Sequence, residues 1–420
     1  MADDAAKVAT AQDAKRYWLE GGNAPGGKIR EVDYAKENQG LHPLFAGIKI
    51  VDADTHFTEP PDLFTSRAPA SYRDKVPRIE RVDGVDRWLC QGKDFGSVGG
   101  NVVRKDNNKL LGRLAFQTLE EGHPGSHLVK PRLKAMDDMG IHAQICYQNA
   151  GVTQAGSLMA LGDDQLAFSI IRMFNDAAAE RQIESGQRLF SLAHLPIWNK
   201  PALEAEARRC IDMDIKGFVL PDVPERYGLP GFMDPYWAPF LEMCEATGTP
   251  LNFHLNNAVD PAQLIWQGMG FEKNLAIGSI MLFMGNAATL GNWIISGALD
   301  IYPKLKIGLI ESGAGWIPFM LEALEHQFDE MVPPGALQKR PWEYYRQNFW
   351  CTYWFEKIGP SQLLDAIGFD KLMFETDFPH PTSLYPGVQA HLADTLGHYT
   401  WDQRKQVLET NAVGLYKLPF

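Results

Sequence analysis

From residue 48 onward, short apolar runs alternate with longer stretches of mixed polarity. The runs lie at 48–53, 143–147, 189–195, 217–220, 250–254, 307–310, 349–353 and 372–374. Each is short and mostly apolar, the pattern of a strand buried on both faces. Between most of them, apolar residues recur at helical spacing, as over 167–185, 203–213, 237–247 and 318–331. Repeated strand–helix units predict a parallel sheet covered by helices, and eight strands can close it into a (β/α)8 barrel. An open doubly wound sheet is the alternative. No Gly-x-Gly-x-x-Gly follows the first strand, where such a fold would hold a pyrophosphate.

Two segments break the rhythm. Residues 1–46 are polar, glycine-rich around Gly21-Gly22 and Gly26-Gly27, and carry an aromatic pair, Tyr17-Trp18. They predict an arm packed on the body at 47–420 or on a neighbouring subunit. Residues 65–128, rich in Gly, Asp, Asn and Arg, form a long insertion after the first strand. At the catalytic face it predicts a flap over the pocket, with a surface or subunit-contact excursion as the plainer reading.

Polar residues follow the apolar runs directly, and this gives the pattern chemical content. The first run leads into Asp54-Thr55-His56, whose side chains at i and i+2 share one face of a strand. Other runs end in His254, in Glu311 and in Glu375-Thr376-Asp377, with His380 just beyond. In a barrel these residues meet at the carboxyl-end mouth. Carboxylates gathered there repel one another, and a divalent cation removes that cost. Asp54, His56, His254, Asp377 and Glu311 are therefore the candidate metal ligands, with Glu311 and Asp377 also the candidate acid/base groups. His380, Asn257 (with Asn256), Glu59, His194 and Trp316 are candidates for substrate contact or for support of the ligands. Glu375 is expected deeper in the barrel, and Trp198 and Trp266 are further candidates for an aromatic wall.

The Asp-Ala-Asp-Thr-His-Phe-Thr-Glu-Pro opening, His254 after the fifth strand and the Glu-Thr-Asp-Phe-Pro-His segment resemble the amidohydrolase superfamily. The resemblance covers about 48–418. The nearest branch is the amidohydrolase-related proteins, with aminocarboxymuconate-semialdehyde and resorcylate-type decarboxylases and a lignin carbon–carbon hydrolase. It implies a distorted (β/α)8 barrel holding one divalent metal, usually zinc or manganese, on the residues matching Asp54, His56, His254 and Asp377. Such an ion polarises a substrate oxygen or lowers the pKa of bound water. Two departures stand out. The first pair is Asp-x-His, and Glu311 occupies a place where relatives often carry a catalytic histidine. Glu311 can be an acid/base, a ligand to a second metal near Asp377 and His380, or a carboxylate tied to the amides of the 312–315 turn.

The expected function is a metal-dependent hydrolase or decarboxylase of a small cyclic or aromatic carboxylate, ketone, ester or amide. A two-iron oxygenase on the same scaffold is the enzymatic alternative, and a metal-stabilised binding or scaffold protein the non-enzymatic one. Bulk properties narrow the partners. A net charge of −12 disfavours a nucleic-acid backbone. The absence of an unbroken apolar run of about 18 residues disfavours a membrane span. The first residues lack a signal-peptide pattern, and five scattered cysteines read as reduced, buried thiols, so a cytoplasmic enzyme is expected. The apolar stretches 271–299 and 318–331 suggest a homodimer contact.

Overall fold

The computed structural model of the protein describes residues 26–255, 266 and 268–420. Among these, eight parallel strands lie where the apolar runs are: β1 (Val51–Phe57), β2 (Ala143–Gln148), β3 (Leu189–Ser191), β4 (Phe218–Val219), β5 (Leu251–His254), β6 (Ile307–Ile310), β7 (Phe349–Tyr353) and β8 (Leu372–Phe374). They pair in sequence order as two arcs, β1–β3 and β4–β8. A parallel bridge between Ala193 and Phe218 joins the arcs on one side, and a bridge between Thr55 and Phe378 joins them on the other. At that second seam Asp377 N donates to Asp54 O at 2.9 Å and His56 N to Phe378 O at 2.8 Å. The first and last strands therefore meet where both carry candidate ligands. β1 runs further than its apolar core suggests, so Asp54 and His56 lie within the strand, beside a register shift between Asp52 and Thr55.

Alternation along the strands divides the core in two. Val51, Ala53, Ile145, Tyr147, Phe190 and Met373 pack inside the barrel, together with Ala412, Leu415 and Tyr416. Cys146, Leu189, Phe218, Phe253, Leu309 and Cys351 face outward, against Ala135, Ala207, Phe240, Leu290 and Leu321 of the surrounding helices.

The insertion packs against the barrel. Arg78–Val82, Val85–Cys90 and Lys93–Ser97 form a small antiparallel sheet. Its Trp88 and Cys90 pack in one cluster with Phe64, Val152, Leu158 and Ile170, beside the barrel. The segment beyond it reaches the last strand loop, where Val102 N donates to Pro379 O at 2.9 Å. Gly100 is needed there: a Cβ would lie 2.8 Å from the His380 ring. The described part of the arm packs on the body, with Lys28–Arg30 pairing antiparallel with Lys109–Leu111 and Tyr34 Oη donating to Asp138 at 2.6 Å. Gly21-Gly22 and Tyr17-Trp18 lie outside the described residues.

The helix Phe271–Ile295 corrects one expectation. At 25 residues and mean hydropathy 1.3 it is long and apolar enough to cross a membrane. Scattered Gly, Ser, Asn and Thr hide this from a search for an unbroken apolar run. Its second half is a core helix: Asn286, Thr289, Leu290, Trp293 and Ile294 are buried.

Candidate metal centre and active site

The strand ends bring five predicted ligands into one buried place. His254 Nε2 lies 3.0 Å from Glu311 Oε2 and 3.2 Å from Asp54 Oδ2. His56 Nε2 lies 3.5 Å from Asp377 Oδ1 and 3.9 Å from Asp54 Oδ1. His380 joins them, with Nδ1 3.3 Å from Asp377 Oδ1 and its ring stacked on His56 at 3.5 Å between centroids. Asp54, His56, Glu311 and Asp377 are buried, while His254 and His380 are slightly open to the cavity. Local backbone turns these ligands inward. Leu255, Glu311 and Asp377 have φ of 43°, 52° and 57°. Such a conformation costs a non-glycine residue about 1–3 kcal/mol and persists only where the surroundings impose it.

Hydrogen bonds fix the bare ring nitrogen of His56 and of His380. His56 Nδ1 faces the carbonyl of Gln148 at 2.6 Å, and a carbonyl only accepts, so the proton is on Nδ1 and Nε2 is bare. Asn149 Nδ2 donates to Gly100 O at 2.9 Å, which turns Asn149 Oδ1 toward His380 Nε2 at 2.8 Å. His380 therefore donates from Nε2 and presents a bare Nδ1. Bare nitrogens and carboxylate oxygens face one another here. Both oxygens of Asp54, Nε2 of His56 and His254, Glu311 Oε2 and Asp377 Oδ1 are buried without a hydrogen-bond partner. A cation is the partner that satisfies acceptors alone, and each outer histidine N–H bonded to an oxygen is the usual support for a metal ligand. The donor set fits a divalent ion.

Residues 51–418 match the amidohydrolase family. The chain belongs to that family. The gamma-resorcylate decarboxylase of Rhodococcus jostii (strain RHA1) is 27% identical to it over 311 residues, 68% of this chain and 87% of that one. An amidohydrolase structure from Mycobacterium avium subsp. paratuberculosis K-10 has a TM-score of 0.67 at 18% identity, over 88% of this chain and 99% of that one. A dihydroxybenzoic acid decarboxylase from Polaromonas sp. JS666, solved with manganese and the inhibitor 2-nitroresorcinol, gives 0.57 at 20% identity over 89% and 98%. The two structural likenesses show the barrel fold. This amidohydrolase is an enzyme of the hydrolase or carbon–carbon lyase kind.

A cavity of about 300 Å³ opens over the amidohydrolase centre, lined by His56, His254 and His380 and by the rings of Tyr147, Tyr227 and Phe253. His194 also lines it, its ring edge-on to Phe174 at 5.2 Å, with burial depressing it to about 3. Glu59 lies outside the cavity and holds the loop after β2, accepting from Asn149 N at 3.2 Å and Ala150 N at 2.9 Å. Trp316 does not line the cavity among the described residues, and its indole N–H goes to Ser312 O at 2.9 Å. Trp198 bonds Asp164 and Trp266 is exposed, so neither lines the cavity among the described residues. Asn256 and Asn257 lie outside the described residues. The turn amides once open to Glu311 are taken by Glu356, which accepts from Ala314 N and Gly315 N. Glu375 sits beneath, accepting from Glu311 N at 3.3 Å.

Sequence reasoning passed over four supporting residues. Tyr147 closes the run 143–147 and sits 4.6 Å from the His254 ring, a position the strand-end rule could have found. Thr382 donates to Asp377 Oδ2 at 2.6 Å, leaving Oδ1 to face the centre. Asn149 is the orienting partner of His380. Asp52 accepts from Thr376 N and Oγ1 at 2.7 and 2.6 Å, tying β1 to the end of β8.

Burial sets a pH signature for the metal-free protein. Asp52 and Glu59 are pushed up to about 7, chiefly by burial. Burial first, and neighbouring carboxylates second, also raise Asp54 and Glu311. Raised carboxyls mean that the folded state holds more protons than the unfolded chain, so this stability is lost as pH rises through about 7. The depressed histidines, His254 at about 4 among them, act oppositely but only below their ordinary value of about 6.5. Chelated protein should therefore melt at progressively lower temperature from pH 6.5 to 8. Manganese-loaded protein should fall less steeply, because the ion compensates Asp54 and Glu311. Equal slopes would place the ion elsewhere.

Proposed function

We propose that this amidohydrolase is a metal-dependent decarboxylase of a small hydroxylated aromatic carboxylate. The observation that carries the reading is the set of unpartnered histidine nitrogens and carboxylate oxygens gathered under an aromatic-walled cavity. The gamma-resorcylate decarboxylase relative supports the reaction class, and it favours this over a two-iron oxygenase or a binding protein. A cavity of about 300 Å³ suits a small ligand. Tyr147, Tyr227 and Phe253 suit the faces of a ring, and Gln148, Thr153 and Gln154 offer hydrogen bonds to its substituents.

Asp54, His56, His254 and Asp377 would hold the ion, manganese or zinc, with manganese favoured by the Polaromonas enzyme. Bound there, it supplies Lewis-acid polarisation of substrate oxygens. The chain must supply the proton. Decarboxylation breaks the ring–carboxylate bond, releases carbon dioxide and leaves the bonding pair on the ring carbon, where a proton replaces the lost group. Asp377 is the proton-transfer group in this reading, since Thr382 holds Oδ2 and leaves Oδ1 facing the centre. Five free, buried cysteines support a reducing, cytoplasmic setting. Exposed Ile280, Met284 and Phe319 on the two long helices support contact with a second copy of the chain.

The test is carbon dioxide release from 2,6-dihydroxybenzoate and related hydroxybenzoates by manganese-loaded enzyme. Metal-dependent release with formation of the decarboxylated phenol is expected. No release from the whole panel, alongside metal-dependent hydrolysis of aryl esters or amides, would move the enzyme to the hydrolases.

A further inference from the structure

Resting on the reading that Asp377 is the proton-transfer group, we propose that Lys109 of the insertion is its positioning residue. Lys109 holds the loop after β8 in working geometry, and the N-terminal arm keeps Lys109 in place. That loop, residues 375–385, carries Asp377, His380 and Thr382 and meets the insertion at three points. Val102 N donates to Pro379 O at 2.9 Å, Lys109 Nζ to Ser383 O at 2.5 Å and Tyr385 Oη to Asn107 O at 3.2 Å. His380 and Thr382 lie between the first two points, and Thr382 in turn donates to Asp377 Oδ2 at 2.6 Å. The insertion therefore fixes this loop from outside the barrel.

Lys109 differs from the other two contacts in carrying charge. Both it and Ser383 are buried. Burial lowers the ammonium to about 8 while the Asp377 carboxylate opposes that fall, so Lys109 is a cation at neutral pH. A buried ammonium is costly unless an opposite charge lies near it. An apolar side chain would fill the same place without that cost if packing were its only task. A charge-assisted bond to a carbonyl is roughly twice as strong as a neutral one. The charge thus tightens the hold on Ser383 O, and its field acts on Asp377.

The arm completes the hold. Arg30 pairs with Lys109 in an antiparallel ladder, flanked by Ile29 with Leu110 and Lys28 with Leu111. Ile29 packs on Val102, Leu110 and Phe116, so one small apolar cluster joins the arm to the segments that touch the loop. Val32 N adds a bond to Asn108 Oδ1 at 2.9 Å.

Hydrogen–deuterium exchange and steady-state kinetics on the whole, manganese-loaded chain test this. Lys109→Met keeps an apolar stem and removes the ammonium. It should speed exchange across 375–385, where His380 N bonds Asp377 O and Leu384 N bonds Thr376 O, and leave β3–β5 as they were. Its kcat should fall about 10–100-fold, the usual cost of loosening a group behind a reacting residue, at nearly unchanged KM. Ile29→Asp, outside the cavity lining, should reproduce both effects in weaker form. Unchanged exchange at 375–385 in Lys109→Met overturns the proposal whatever happens to activity. Faster exchange throughout the barrel also overturns it, by making Lys109 a packing residue. A loose loop in Lys109→Met but not in Ile29→Asp overturns the part given to the arm. Should Lys109→Met fail to fold, exchange in Ile29→Asp decides alone. Absence of decarboxylation in the unsubstituted enzyme, with the loop loosened as expected, sinks the decarboxylase reading and leaves the hold on the loop standing.

Discussion

Replacing His254 or Asp377 with alanine is expected to remove bound metal and, with it, decarboxylation. Each change deletes a donor from a place where the remaining ones cannot shift to replace it. Both residues sit at strand ends, and Asp377 is held by Thr382 through Oδ2 and by its own backbone bond to Asp54 O. Loss of Lewis-acid stabilisation at such a site is worth several kcal/mol, or roughly 10²–10⁴-fold in rate. Metal content after desalting should fall in parallel. His194→Ala supplies the contrast: His194 lines the cavity but sits edge-on to Phe174, so that variant should keep its metal and change mainly KM. Full activity in either ligand variant would remove this centre from the mechanism.

Asn286→Ala should damage stability and metal binding together, from a residue outside the centre. Asn286 is buried in an apolar helix, and its Nδ2 is shared among Phe253 O at 3.1 Å, Ile310 O at 3.2 Å and Ser312 Oγ at 2.6 Å. Those acceptors flank His254 on β5 and Glu311 after β6. The amide therefore clamps together the two strand ends that carry His254 and Glu311. Losing its two N–H bonds and leaving a void should cost roughly 2–3 kcal/mol of stability. Loosening groups that orient metal ligands typically costs about 10–100-fold in metal affinity. Denaturant melts and manganese titration of the same variant check both. A stability loss with unchanged metal affinity would make Asn286 a packing residue only.

The strands were legible because strands buried on both faces are predominantly apolar, and a polar residue in or just after such a run stands out. That rule singled out Asp54, His56, His254, Glu311 and Asp377, which the structure brings together. It worked less well where an element is held by something other than its own pattern. The insertion reads as polar, yet it carries an apolar anchor, since Trp88 and Cys90 find partners in the helices after β2. Trp316 reads as a cavity wall from its place after β6, but its indole closes the turn at Ser312 instead.

By itself, the sequence determined the repeated strand–helix units and which polar side chains would lie at the strand ends, since these follow from hydrophobic period. Only the tertiary structure decided how those side chains face one another. That Asp54 has two free oxygens, that Thr382 occupies one of Asp377's, and that Asn149 fixes the bare nitrogen of His380 all depend on contacts between residues far apart in the chain. Hydrogen-bond direction is a property of the pair and not of either residue, so no spacing along the sequence encodes it.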